Sequence, residues 1–392
     1  MFNTKVLVTL GLLLATIVTA QDQTCGATVS SNGGRKIAIV VDSSGSMSST
    51  DPQDLRITAG KSLAASLVTT GGSPDQVTVV DFDSSAAIIY PLGSPSGAGP
   101  SFDTIDSSGG TSIYSGIKLA LDELTKGNAP TAGVAGIVVL TDGEDSSVTL
   151  LVAELVRAKG LGVRVSFGFL SPDSSPSSPS VLSAILDTGG VFSTFQDSEA
   201  LKTFISSVVS HGLTSSESSA SGSVLLPGLT IVGNVSSTAA ASYTYSAIAG
   251  EALNFTVKAL SSQSLSVKLA DKGASKDIDT QSTDATGSAG ILFTAAGAAN
   301  LELSVSTTNA TSGLFSVSLS SSVNRTFNLC TQDNTTVTNG TTTPNITIPT
   351  GTTGLPSPTS TFIQTAGAVI TAKGYLARAA IPLLILAGAA VL

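Results

Sequence analysis

The sequence predicts an α/β fold: a doubly wound, mostly parallel sheet over residues 35–213, followed by a smaller all-β sandwich over residues 222–330. Two observations carry the first part. Continuous apolar runs such as Ile37-Ala-Ile-Val-Val41 and Ile137-Val-Val-Leu140 read as strands buried on both faces. They alternate with segments of helical spacing, which is the order of a doubly wound sheet. A third observation carries the sandwich. Leu253-Asn-Phe-Thr-Val257 and Leu301-Glu-Leu-Ser-Val305 alternate apolar and polar residues with period 2, as half-buried antiparallel strands do.

The elements follow in order. Lys36 to Val41 is the first strand and Leu55 to Leu67 the first helix. Val77 to Val80 and Ala86 to Leu92 are strands, and Ile117 to Leu124 is a helix. Ile137 to Leu140, Val148 to Ala158 and Val163 to Phe167 continue as strand, helix, strand. Val181 to Leu186, Val191 to Phe195 and Ala200 to Val209 close the region as helix, strand, helix. In the second region, Leu265 to Leu269 and Phe315 to Leu319 add alternating strands, with Gly, Ser and Asn between the runs. No catalytic set clusters there, and the region reads as a spacer.

Composition narrows the chemistry. The chain has 392 residues, with 1 His, 2 Cys and no Trp, and charged residues make up 11%, under half the usual share of about 25%. A single histidine excludes multi-histidine metal sites. Two cysteines exclude thiolate clusters and a disulfide-dense scaffold. A formal net charge of −9 argues against nucleic acid, whose binding needs a basic surface. Any bound metal must therefore find hydroxyl and carboxylate ligands, which suit a hard cation.

Such groups fall on three strand ends, the place where ligands bind in open α/β sheets. Asp42 closes the first strand, and Asp42-Ser-Ser44-Gly-Ser46 forms a tight turn. Ser107-Ser-Gly-Gly-Thr111 is a loop whose two glycines allow close backbone approach, and Thr111 begins the next helix. Thr141-Asp142-Gly143 closes another apolar strand. The candidate metal ligands are Asp42, Ser44, Ser46, Thr111 and Asp142, and the cation is Mg²⁺ (or Mn²⁺ or Ca²⁺). Asp81, Asp83, Asp103, Asp106, Glu144 and Asp145 lie nearby and read as solvated carboxylates or loop hydrogen-bond acceptors.

These residues, in this order, resemble the metal-ion-dependent adhesion site of von Willebrand factor A domains. Phe82-Asp83, Pro91-Leu92 and Gly109-Gly-Thr-Ser-Ile113 extend the likeness over about 180 residues. The resemblance implies that Ser44, Ser46 and Thr111 contact the cation, with Asp42 and Asp142 direct or water-bridged. A carboxylate of a protein ligand would take the remaining position. It also implies that the last helix, Ser198 to Gly212, moves if the domain switches state, and it gives Asp83 a structural role.

Both chain ends read as processing signals. Residues 1–20 have Lys5, a short apolar run and Val18-Thr-Ala20, as a cleavable secretory signal does, with a signal anchor as the alternative. Residues 331–365 are rich in Thr and Pro and read as a glycosylated stalk. Residues 366–392 read as a glycosylphosphatidylinositol attachment signal, with Ala366 or Gly367 as the site and a spanning tail as the alternative. N-glycosylation patterns occur at Asn234, Asn254, Asn309, Asn324, Asn334, Asn339 and Asn345. In an oxidising compartment Cys25 and Cys330 are expected to form one disulfide, with intermolecular pairing as the alternative.

The expected protein is a lipid-anchored, non-enzymatic adhesion or recognition protein of the cell surface. A structural role in a cell wall or extracellular matrix is the main alternative, followed by a channel-accessory subunit. A hydrolase ranks last, because no nucleophile–base pair is visible.

Overall fold

The computed structural model describes residues 25–29, 34–67, 73–170, 178–195, 197–217, 223–261, 263–323 and 328–331. The secretory signal, Asn324, Asn334, Asn339, Asn345 and both candidate anchor positions lie outside the described residues.

The first region contains β1 (Cys25–Val29), β2 (Lys36–Asp42), α1 (Met47–Thr50), α2 (Leu55–Ser66), β3 (Gln76–Phe82) and β4 (Ala86–Gly93). It continues with α3 (Ile113–Leu124), β5 (Ala135–Thr141), α4 (Val148–Gly160), β6 (Arg164–Phe169), α5 (Pro179–Asp187), β7 (Phe192–Thr194) and α6 (Ser198–His211). β2, β3, β5, β6 and β7 pair in parallel, and β4 joins antiparallel at the edge. All residues of β5 and β6 are buried, because helices cover both faces. α3, α4 and α5 pack on one face with Ala38, Val40 and Val139. α2 and α6 pack on the other with Ile37, Ile39 and Val138. This is the expected doubly wound, mostly parallel sheet. Its chain order reverses at β2, which lies between β3 and β5, so the crevice beyond the carboxyl end of β2 is where a ligand site forms.

The second region is the expected all-β layer pair. Its strands are β8 (Ser223–Val224), β9 (Thr230–Val235), β10 (Ala241–Ala247), β11 (Ala252–Ala259), β12 (Leu265–Asp271), β13 (Lys276–Ser282), β14 (Ser288–Thr294), β15 (Ala299–Thr307), β16 (Gly313–Ser321) and β17 (Asn328–Thr331). β13-β12-β15-β10-β8 form one sheet. It faces β14, β11, β16 and β9 across a core that includes Phe255, Val267, Leu303 and Phe315. Burial alternates strictly along most of β11, as the period-2 pattern requires. At one end, Glu251 is fully buried and held by Tyr245 Oη (2.5 Å), Ser321 Oγ (2.6 Å) and the Ile248 amide (2.9 Å). Asn234, Asn254 and Asn309 are exposed.

The sequence pattern treats the second region as a spacer beside the α/β region. Hydrogen bonding joins them instead. β9 pairs antiparallel with β7, setting Ser193 opposite Ile231 and Thr194 opposite Thr230. A single ten-stranded sheet results, in the order β14-β11-β16-β9-β7-β6-β5-β2-β3-β4. The physical reason is the edge of β7, whose amides and carbonyls would otherwise be unpaired. Side chains follow the backbone: Val232 and Leu314 enter the cluster of α5 and β7, and Leu229 enters that of α6.

β1 and β17 form a separate parallel pair, with Cys25 opposite Asn328 and Cys330 opposite Thr28. Both cysteines thus lie on one two-stranded ribbon, two residues out of step. At the pole opposite the carboxyl end of β2, Arg35 pairs with Asp75 at 2.7 Å and with Glu217 at 2.9 Å.

Candidate metal centre

Three loops meet beyond β2 and β5. The first leaves β2 at Asp42, whose side chain is completely buried. One carboxylate oxygen accepts the Ser44 amide at 2.7 Å and the other accepts Thr141 Oγ1 at 2.5 Å. Both oxygens are therefore engaged by the protein, and Asp42 ties the end of β2 to the end of β5. The turn is closed by Ser43, whose amide donates to the Phe82 carbonyl at 2.8 Å.

This turn aligns hydroxyls. Ser44 Oγ and Ser46 Oγ lie 3.0 Å apart, and Ser46 Oγ donates to Asp142 Oδ1 at 2.9 Å. Thr50 Oγ1 donates to the other oxygen of Asp142. Ser44 is buried, whereas Ser46 is exposed and Asp142 half-buried, so the row runs from the sheet toward solvent.

The second loop is held against the first by backbone bonds. Gly45 N donates to the Gly109 carbonyl (3.2 Å), and Ser108 N donates to the Ser43 carbonyl (2.6 Å). Gly109 has φ +77°, and a β-carbon there would stand 2.5 Å from Asp83 Oδ2. Gly109→Ala should cost about 1–3 kcal/mol, from strain in the left-handed conformation and displacement of Asp83. Urea denaturation checks this, and an unchanged midpoint would refute it. The Asp83 backbone carbonyl accepts the Ser112 amide at 2.7 Å, just after Thr111, and its carboxylate accepts the Ser85 amide at 2.9 Å.

The third loop completes the ring. Ser146 N donates to the Thr111 carbonyl at 3.0 Å. A β-carbon on Gly143 would lie 3.8 Å from Thr111 Oγ1, so Thr111 stands against the loop that carries Asp142. Asp145, buried, accepts the amides of Tyr114 and Ser147, both at 2.6 Å. It acts as the loop acceptor expected of it and clamps the third loop to the start of α3.

All five sequence-predicted ligands thus reach one pole of the sheet. Hydrogen bonds link Asp42, Ser44, Ser46 and Asp142, and Thr111 stands beside them on the neighbouring loop, its backbone carbonyl accepting the Ser146 amide. Sequence reasoning missed Thr141 and Thr50, whose polar side chains carry no special signal. It also missed Arg56, for which a signal exists. Arg56 shares a helical face with buried Ala59, Gly60 and Leu63, and a cation on an apolar stripe needs an explanation.

The donor set, two carboxylates and three hydroxyls, suits a hard cation. Burial raises the Asp42 pKa above the ordinary carboxylate value; the bonds from Ser44 and Thr141 oppose this, and the nearby charge of Asp142 adds to it. The Ser44–Ser46 and Ser46–Asp142 separations are 3.0 and 2.9 Å. Among the described residues, no group of three or more His, Cys, Asp and Glu side chains could hold a metal, and the present set is rich in hydroxyls instead. No helix among them is long and apolar enough to cross a membrane.

A family match agrees with the α/β part of this fold. Residues 37–144 match the von Willebrand factor type A domain family. No curated protein matches the chain. A von Willebrand factor type A structure from Catenulispora acidiphila is 15% identical, with a TM-score of 0.38. The match covers 73% of this chain and 63% of that one, so the chain spans less than two thirds of that protein. Proximal thread matrix protein 1 from the mussel byssus, solved with a zinc-occupied adhesion motif, is 22% identical over 47% of this chain and 46% of its own, with a TM-score of 0.39. The conserved hypothetical protein BatB from Bacteroides thetaiotaomicron is 22% identical over 44% of this chain and 96% of its own, with a TM-score of 0.36.

Proposed function

From the premise of a von Willebrand factor type A fold, we propose that this is a non-enzymatic adhesion or recognition protein that binds a carboxylate of a protein ligand through a divalent cation. The observation that carries the reading is the row Ser44 Oγ, Ser46 Oγ, Asp142 Oδ1, with steps of 3.0 and 2.9 Å, opening from the buried end of β2 to the surface. Ser44, Ser46 and Thr111 would hold the cation with Asp42 and Asp142, and this all-oxygen set suits Mg²⁺ (or Mn²⁺ or Ca²⁺). A bound cation supplies the positive charge that an acidic group of the ligand requires.

The chain's own residues set the strength of that charge. Asp42 accepts one hydrogen bond on each oxygen, from Ser44 and Thr141, which orients the carboxylate while its remaining lone pairs can meet the cation directly or through a bridging water. Three of the five ligands are neutral hydroxyls, which leave more residual charge on the metal than a carboxylate cage would. Thr50 and Ser46 share Asp142 and keep its carboxylate aimed at the site.

We also read the chain as secreted and lipid-anchored, with sugars on the exposed Asn234, Asn254 and Asn309, and with Cys25 paired to Cys330. The adjacency of β1 and β17 supports the pairing. Peptide mapping without reductant tests it, and cysteines recovered unlinked would refute it. The central test is calorimetric titration of the metal-stripped chain. One equivalent of Mg²⁺ or Mn²⁺ is expected to bind, reversibly to EDTA. A chain with no uptake of either ion would refute the reading.

A further inference from the structure

Arg56 lies in the first turn of α2, and only 1% of its side chain is exposed. A buried guanidinium is costly unless its charge is paired and its donors are satisfied. Here all five N–H groups have acceptors. Nη1 donates to Asp51 Oδ2 (2.9 Å) and Asp54 Oδ1 (3.1 Å). Nε donates to the Asp42 carbonyl at 2.8 Å, and Nη2 donates to the Asp106 carbonyl and to Ser107 Oγ, both at 2.9 Å.

The division of these bonds is informative. Asp51 and Asp54 balance the charge, and Asp51 also caps α2 by accepting the Leu55 amide at 2.6 Å and the Arg56 amide at 3.0 Å. A role confined to the helix would need nothing more. The other three bonds go to neutral acceptors on two separate loops. Asp42 is the last residue of β2, and its side chain is a proposed metal ligand. Asp106 and Ser107 open the loop that ends in Thr111, just before the bonds Ser108–Ser43 and Gly45–Gly109.

We infer that Arg56 is a positioning residue for the cation site, fixing the Asp42–Ser46 loop against the Thr111 loop before the metal arrives. This rests on the cation-site reading above. The planar fork of arginine is what allows one side chain to reach both loops while keeping its ion pair. A lysine has three donors on a single nitrogen and cannot span the same acceptors.

The test compares Mg²⁺ affinity with stability in the full-length chain, using Arg56→Lys, Arg56→Met, Ser107→Ala and a control, Arg35→Met. Arg35 is likewise a buried, ion-paired arginine, but it lies at the opposite end of β2. Calorimetry well below each melting temperature should show Mg²⁺ binding weakened about 10–100-fold in both Arg56 variants, the usual range for groups that orient metal ligands. Ser107→Ala, which removes one neutral acceptor, should weaken it about 3-fold. Arg35→Met should melt earlier and bind Mg²⁺ as the wild type does. Wild-type affinity in Arg56→Lys and Ser107→Ala overturns the inference whatever their melting temperatures, and these two carry the test if Arg56→Met does not fold. A wild-type chain that takes up no Mg²⁺ overturns the cation-site reading and this inference with it.

Discussion

A chain ending at Glu217 is expected to be aggregated or oligomeric, although it would contain every strand of the parallel sheet and all five candidate ligands. The reason lies in how β7 and the helices beside it are completed. Without β9, β7 becomes an exposed edge, a known route to association. Val232 and Leu314 would leave the cluster that holds Val181, Leu182, Ile185 and Phe192. Leu229 would leave that of Leu201, Phe204 and Val208. At ~2 kcal/mol for each fully buried aliphatic side chain, the loss is about 6 kcal/mol, comparable to the whole net stability of many domains. Size-exclusion chromatography and thermal denaturation of the shortened chain are the measurements. A monomer melting as cooperatively as the full chain would show that the shared sheet is dispensable.

Asp42→Ala is expected to weaken Mg²⁺ binding by more than about 100-fold, at the upper limit seen for groups around a metal, while the fold survives. Two effects on stability oppose each other. The Ser44 amide and the Thr141 hydroxyl lose their acceptors, which costs about 1–3 kcal/mol for buried donors. Against this, removal of a carboxylate that burial already disfavours as an anion relieves a desolvation penalty. The net change in EDTA should therefore be small beside the loss of metal affinity. Asp42→Asn sharpens the comparison, since it retains an acceptor for Ser44 and lacks the charge. Strong Mg²⁺ binding by Asp42→Asn would mean that the carboxylate charge is not required.

Much of this architecture was legible because hydrophobic periodicity is a local signal. The run at Lys36 to Val41 becomes β2, a strand whose last six residues are all buried, and the alternation at Leu253 to Val257 becomes β11. The ligands were legible for a related reason: a doubly wound sheet puts strand ends at one pole, so Asp42 and Asp142 had to approach each other once β2 and β5 were identified. Short or polar strands were not legible. β13 is exposed along most of its length and carries no apolar alternation to reveal it. Thr141 and Thr50 were hidden for a different reason, since a threonine near a strand end or in a short helix has many ordinary uses.

The sequence by itself determined the main strand and helix order of residues 36–209, the two kinds of layer, and the hydroxyl and carboxylate chemistry left open by a single histidine and two cysteines. Those follow from residue type and spacing, which act along the chain. Only the tertiary structure decided that β9 completes the edge of β7, that Arg56 reaches both the loop after β2 and Asp106, 50 residues away, and that Ser46 meets Asp142 across 96 residues. Sequence spacing does not encode such contacts. They arise when buried donors, acceptors and strand edges must find partners in three dimensions, because an unpaired polar group in the interior costs more than the ordering needed to pair it.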